Sequence, residues 1–251
     1  MKVLKLGGSF LTKKDGYREA DVSAIQSAAR MVANLWKKGV RDIIVVHGAG
    51  SFGHSLVIHY GIKDGITTDQ QLLGYADTHA ACSELSQLLV KALVAAGVPA
   101  ISISPNSIIR SKNKRIYSFD EILILKTLDS GLLPVLYGDM VPDSELVASV
   151  CSGDQIVAYL GKKAEFLVLA TNVDGVLDDS GKVIASISSS NFKAISKHLK
   201  RAENDVTGAM AGKLKELLAI GTVSYIVNAA HPERVEALMQ GKKAICTEVR
   251  K

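Results

Sequence analysis

Eight consecutive residues, His47-Gly48-Ala49-Gly50-Ser51-Phe52-Gly53-His54, hold the densest chemistry in the chain. They follow Ile43-Ile44-Val45-Val46, a short β-branched run that predicts a buried strand. Three glycines within six positions strip side chains from a turn, so that backbone N–H groups can approach a phosphate closely. A histidine at each end adds a donor beside that anion cradle. His54 closes the glycine turn and is the better functional candidate, whereas His47 reads as a turn-capping or packed residue. The run Gly48-x-Gly50-x-x-Gly53 also satisfies the dinucleotide fingerprint, so a dehydrogenase is a competing reading. It lacks an identifiable ribose-binding acid, because Tyr60–Gln71 reads as loop.

Four further motifs point the same way. Lys5-Leu6-Gly7-Gly8-Ser9, followed by Lys13 and Lys14, places a cation in an otherwise apolar strand and a tight turn after it. A charge there is costly unless it meets an anion or a partner. Ser152-Gly153-Asp154 reads as a helix start, where N–H groups face an anion and Asp154 can orient lysines or magnesium; the plain alternative is an N-cap aspartate. Thr171-Asn172-Val173-Asp174-Gly175-Val176 closes a strand with a common turn. Asn204-Asp205-Val206-Thr207-Gly208-Ala209-Met210-Ala211-Gly212-Lys213 is no P-loop, but it sets Lys213 near a helix start after a glycine turn. Positive charge placed in advance around developing negative charge is what phosphoryl transfer requires.

The elements that must position these residues alternate. Strands are predicted at Val3–Leu6, Ile43–Val46, Ala100–Ile103, Leu133–Tyr137, Glu165–Ala170, Val183–Ile187 (an edge), Val223–Val227 and Ala244–Val249. Helices are predicted at Ala20–Lys38, Ala76–Ala96, Phe119–Ser130, Gly153–Leu160, Met210–Ile220 and Pro232–Met239. This order argues for an α/β architecture with a mainly parallel sheet covered on both faces. Each motif falls at the carboxyl end of a strand, where such sheets bind ligands.

The 251 residues suffice for one large domain, with 47% hydrophobic and 22% charged residues. A net charge of +5 with scattered basic residues disfavours nucleic acid and suits small anionic ligands. Cys82, Cys151 and Cys246 stand far apart, so neither a disulfide framework nor a zinc site is expected. The apolar part of Met1–Gly8 is too short for a signal peptide, no run is long enough to span a bilayer, and a cytoplasmic protein is expected.

Taken in order, Lys5–Ser9, His47–His54, Tyr137-Gly138-Asp139, Ser152–Asp154, Val173-Asp174-Gly175 and Asn204–Gly208 resemble the amino acid kinase family, and within it the branch acting on isopentenyl phosphate. The likeness spans nearly the whole chain, and the glycine turn ending in His54 separates this branch from relatives that phosphorylate carboxylates. It implies a single domain over 1–251 with the open αβα sandwich of the amino acid kinase fold. Its substrate-binding part is about 1–160, its nucleotide-binding part about 161–251, and it is usually a homodimer. It implies transfer from ATP with Mg2+ to the phosphate of isopentenyl phosphate; a fosfomycin-type phosphonate kinase and a non-catalytic anion sensor are the alternatives. By position, Lys5, Leu6, Gly7, Gly8, Ser9 and Gly50 would hold the ATP phosphates. Ala49, Gly50, His54 and Gly153 would bind the acceptor. Lys14 would stabilise the transition state, Lys213 would hold nucleotide phosphates and Asp154 would organise the lysines. Asn172, Asp174, Gly208 and Ala209 would line the nucleotide site. Asn172 stands where relatives have aspartate and Ala209 where they have glycine, and the loop Leu177–Lys182 is short. The acceptor's apolar tail needs a wall. The helix Ala76–Ala96 is its candidate, although the stripe Leu85, Leu88, Leu89, Ala92 reads as core.

Overall fold

The computed structural model describes residues 1–13, 16–199 and 209–251. The elements in chain order begin with β1 (Lys2–Leu6), α1 (Gly8–Leu11), α2 (Val22–Lys37), β2 (Ile43–His47), α3 (Gly50–His59), α4 (Asp69–Ala95) and β3 (Ala100–Ser102). Next come α5 (Pro105–Ile108), β4 (Ile109–Lys112), β5 (Arg115–Phe119), α6 (Glu121–Asp129), β6 (Leu133–Tyr137), β7 (Asp139–Asp143), β8 (Val147–Cys151) and α7 (Gly153–Gly161). The chain closes with β9 (Leu167–Thr171), β10 (Ser186–Ile187), α8 (Phe192–Leu199), α9 (Ala209–Ile220), β11 (Ser224–Asn228), α10 (Pro232–Met239) and β12 (Thr247–Val249).

Eight strands form one sheet in the order β10-β12-β11-β9-β1-β2-β6-β3. All pairs are parallel except β11 with β12. The predicted parallel α/β sandwich is therefore present, with Ser186–Ile187 at the sheet edge as expected. Strand periodicity divides the core into two layers. Leu4, Leu6, Ile43, Val45 and Val168 pack beneath α2, α4 and α10 on one face. Val3, Ile44, Val46, Leu167 and Leu169 pack beneath α7 and α9 on the other. Lys5 shares the parity of Val3, so its side chain leaves the sheet on the α7–α9 face.

Local signals set the helix bounds. The Asp21 carboxylate accepts the Ala24 amide at α2, and Ser152 Oγ accepts the Gln155 amide at α7. Gly39 and Gly97 end α2 and α4 in the left-handed region, at φ of 83° and 86°.

Three differences from the sequence reading stand out. The glycine octet is only briefly a turn, because α3 begins at Gly50 and carries His54 within it. The stretch read as loop between Tyr60 and Gln71 already enters α4 at Asp69. A second, four-stranded sheet, ordered β5-β4-β7-β8, rises beside the main one and was not foreseen. Its strands are short, and Asp139 and Asp143 within them mask the apolar alternation.

Candidate functional site

β1 is the central strand at which chain connections change direction, with β2 on one side and β9 on the other. Such a switch point opens a crevice beyond the strand ends. The turns after β1 and β2 meet there back to back. A side chain on Gly8 would stand 2.8 Å from the Gly50 Cα, and one on Gly48 would stand 2.6 Å from the Gly8 nitrogen. Only glycine permits this approach, and it draws both turns under one cavity. Gly50 has a φ of +52°, and any side chain there would strike Thr12.

The cavity holds about 540 Å3. It is lined by Gly7, Gly8, Gly48, Ala49 and Gly50 from the two turns, by His54 from α3, and by Lys5, Ser9, Asp154 and Lys213. Around Gly138, two donors converge. A Cβ at that residue would lie 3.2 Å from the Gly153 nitrogen and 3.3 Å from the Ala49 nitrogen. The Gly153 amide belongs to the first turn of α7 and has no partner inside the helix. The two N–H groups, with the α7 N-terminus behind one of them, form a seat for an anion.

A charged cluster faces that seat. The Lys5 ammonium lies 2.8 Å from Asp154 Oδ1, with the Lys5 side chain 7% exposed. Burial pushes the Asp154 carboxyl upward, but the ammonium groups of Lys5 and Lys213 outweigh it and hold the group below its ordinary value. Lys213 is held below its ordinary value by burial and by Lys5, with Asp154 opposing. One carboxylate thus sits between two lysines drawn from opposite ends of the chain. Asp154 does not cap α7; Ser152 does. The plain N-cap alternative therefore fails.

Val57, Cys82, Met140, Val150 and Cys151 add an apolar portion to the lining, within which Val57 and Val150 pack with Met140. Ile62, Ile66 and Ala148 back Met140 in a small separate cluster. Helix α4 supplies part of this wall through Thr78 and Cys82, whereas Leu85 and Leu89 lie wholly in the main core. Burial pushes the Cys151 thiol up to about 12, and the Cys82 thiol up as well, so both stay protonated.

Other expected residues stand apart. Leu6 is fully buried in the core and can offer only backbone. Asn172 reaches the site through Ser9, its Nδ2 donating to Ser9 Oγ at 3.2 Å. Asp174 instead accepts from Arg234 at 2.8 Å and from Asn228 at 3.0 Å. Ala209 begins α9, about one turn before Lys213. Lys14 and Gly208 lie outside the described residues. His47 is fully buried, stacks on Tyr137 with ring centroids 5.5 Å apart, and is pushed down to about 4 by burial. It is a neutral packed residue. The dinucleotide reading loses its basis, because α3 leads into another helix, α4, and not into an adjacent parallel strand. Sequence reasoning gave Asp139 no role of its own and missed His79; the two pair at 2.9 Å. The Tyr-Gly-Asp turn flagged the first of these, and no local pattern flags a histidine within a long helix.

A sequence profile of the amino acid kinase family matches residues 1–226. The chain belongs to the amino acid kinase family. Among curated members, the isopentenyl phosphate kinase of Methanothermobacter thermautotrophicus is 35% identical, over 99% of this chain and 98% of that one. The enzyme of the same name from Thermoplasma acidophilum is 30% identical over 94% of each chain. An X-ray structure of isopentenyl phosphate kinase superposes with a TM-score of 0.84 at 33% identity, covering 99% of both chains. A carbamate kinase from Giardia lamblia, at 16% identity and a TM-score of 0.68, shares the fold.

Proposed function

We propose that this chain transfers the terminal phosphoryl group of ATP to the phosphate of isopentenyl phosphate, yielding isopentenyl diphosphate and ADP. One observation carries the reading: a single cavity joins an amide seat bordered by a histidine, a lysine–aspartate–lysine cluster and an apolar portion. A phosphorylated compound with a short uncharged tail matches all three. Full-length relatives bearing the isopentenyl phosphate kinase name support it.

In this reading the Ala49 and Gly153 amides and His54 hold the acceptor phosphate, and its tail lies against Val57, Met140 and Val150. Lys5, the turn Leu6–Ser9, Gly50 and Lys213 hold the nucleotide phosphates. Asn172, Asp174, Gly208 and Ala209 serve the nucleotide side, so acceptor residues fall within about 1–160, whereas the nucleotide draws on that part through Lys5–Ser9 and Gly50 as well as on about 161–251. An acceptor phosphate oxygen attacks the terminal phosphorus, the bond to the bridging oxygen breaks, and ADP leaves with that electron pair. The acceptor is already an anion near neutrality, so no general base is required. The obstacle is bringing two anions together, and Lys5, Lys213 and the proposed Lys14 offset the repulsion. Asp154 keeps Lys5 and Lys213 from repelling each other apart.

Among the described residues, no group of three or more His, Cys, Asp or Glu side chains is arranged to hold a metal. A protein-built cage does not fit this donor set. Magnesium would arrive on the nucleotide's own phosphate oxygens, whose charge it screens. A homodimer is proposed from the family resemblance; light scattering at the mass of two chains is expected, and a monomer would refute it. No helix among the described residues is long and apolar enough to cross a membrane, which suits the proposed cytoplasmic enzyme.

The test is ADP release with magnesium-ATP across isopentenyl phosphate, dimethylallyl phosphate, geranyl phosphate, fosfomycin and amino acids. Preferred turnover of an isoprenoid phosphate is expected. Turnover of fosfomycin alone, or binding without turnover, would overturn the assignment in favour of a phosphonate kinase or a sensor.

A further inference from the structure

Beside the amide seat, the cavity wall carries a buried carboxylate that the transfer chemistry leaves unused. Asp139 follows Gly138 directly, and its side chain is 0% exposed. Its Oδ1 accepts the Met140 amide at 2.8 Å, which fixes the step from β6 into β7. The same carboxylate lies 2.9 and 3.1 Å from Nδ1 of His79 on α4, whose side chain is 34% exposed. The other titratable groups acting on Asp139 are Tyr137 from β6, Cys82 from α4 and Cys151 from β8. Burial raises all three, so each is neutral near pH 7. Burial raises the Asp139 carboxyl against the pull of His79, and the bond to Asp139 raises His79 against burial.

An unpaired carboxylate here would share a cavity with an incoming dianionic phosphate. A like charge in the wall of the same partly buried cavity weakens anion binding by roughly 10- to 100-fold. The turn needs Asp139, and the anion seat needs its charge cancelled. We propose that His79 is a positioning residue for the acceptor: its imidazolium neutralises Asp139, so that the seat at Ala49 and Gly153 meets phosphate with no free anion beside it. This rests on the acceptor phosphate occupying that seat. Acceptor affinity then falls as His79 loses its proton, while groups that act on the transferred phosphoryl are untouched.

The experiment compares wild type, His79→Ala, His79→Lys, Asp139→Asn and the His79→Ala/Asp139→Asn pair from pH 6 to 9. Affinity for isopentenyl phosphate and for inorganic phosphate is measured directly, with kcat and KM in parallel. His79→Ala is expected to raise Kd and KM roughly 10- to 100-fold at pH 7, with a smaller change in kcat. Adding Asp139→Asn should restore affinity to within about threefold, an outcome that a merely structural histidine cannot give. Wild-type affinity should fall towards that of His79→Ala as pH rises, whereas His79→Lys should hold its affinity. Titration of the substrate is common to every variant and cancels in these ratios. Unchanged KM in His79→Ala, or a double variant no better than the single, overturns the proposal. Where Asp139→Asn does not fold, His79→Lys at pH 8.5 decides, and affinity equal to that of His79→Ala overturns it. If wild type neither binds nor turns over isopentenyl phosphate, the functional reading fails. The inorganic phosphate comparison still decides the role of His79.

Discussion

Replacing Asp154 by Asn removes the carboxylate between Lys5 and Lys213 and leaves the two ammonium groups facing each other. Across the 2.8 Å separation from Lys5, at an effective dielectric of ~20, the lost attraction is about 6 kcal/mol before desolvation. Most of that attraction offsets the cost of burying Lys5, so removing one partner exposes the cost. Such losses run roughly 3–5 kcal/mol in buried pairs; a third of the Asp154 side chain meets solvent, which lowers the expectation to about 2–3 kcal/mol. For a chain of this length that corresponds to a Tm decrease of about 4–12 °C. The folded Asp154 carboxyl titrates below its ordinary value of 3.8. Its contribution is therefore complete above about pH 4 and fades as pH falls through the lowered value, so the gap between wild type and variant should close in strong acid. Turnover should fall by about 100-fold or more, because the lysines lose their common anchor. Lys5→Met/Asp154→Leu should recover most of the stability and none of the activity. Calorimetry and ADP release measure both effects. A variant with wild-type Tm and near-normal turnover would refute the reasoning, as would a double variant less stable than Asp154→Asn alone.

Other substitutions probe separate parts of the site. Gly138→Ala places a methyl between the Ala49 and Gly153 amides and should raise KM for isopentenyl phosphate by about 100-fold, with a much smaller change for ATP, as read by initial rates. Lys213→Met should cost about 100- to 1,000-fold in kcat, as measured by ADP release, because in the proposed reaction its charge offsets that gained by the transferring group. His54→Ala should lower turnover with isopentenyl phosphate by about 100-fold; a near-normal rate removes His54 from the mechanism. His47, neutral and pushed down to about 4, should make the fold acid-sensitive: the unfolded chain takes up a proton near pH 6.5 that the folded chain refuses. About 2 kcal/mol of stability should be lost between pH 7 and 5, and denaturant titration of His47→Leu should show that loss largely removed.

The repeating helices and parallel strands were legible because each carries its own periodicity and its own stop. Gly39, Gly97 and Gly131 all lie at positive φ just beyond predicted helices, and Leu133–Tyr137 and Pro232–Met239 match the predicted bounds. The β4–β5 and β7–β8 hairpins were not legible, because polar residues interrupt their short alternation. The octet was placed correctly and shaped wrongly. Gly50 and Gly53 are poor helix formers, and only packing of α3 on α4 overrides that preference. The meeting of Lys5 with Asp154 could be suspected from the cost of a lysine within an apolar strand. Which partner it meets depends on strand parity and on α7 crossing β1, and neither is written locally. His79 gave no signal at all, since its role exists only where β7 brings Asp139 alongside α4.

31P NMR of the purified chain with magnesium-ATP and isopentenyl phosphate tests the identity of the acceptor directly. Loss of the single monophosphate resonance, with growth of the paired, coupled resonances of a diphosphate ester and of ADP in equal amounts, is the predicted result. An unchanged monophosphate resonance, or release of inorganic phosphate without a diphosphate ester, would contradict it.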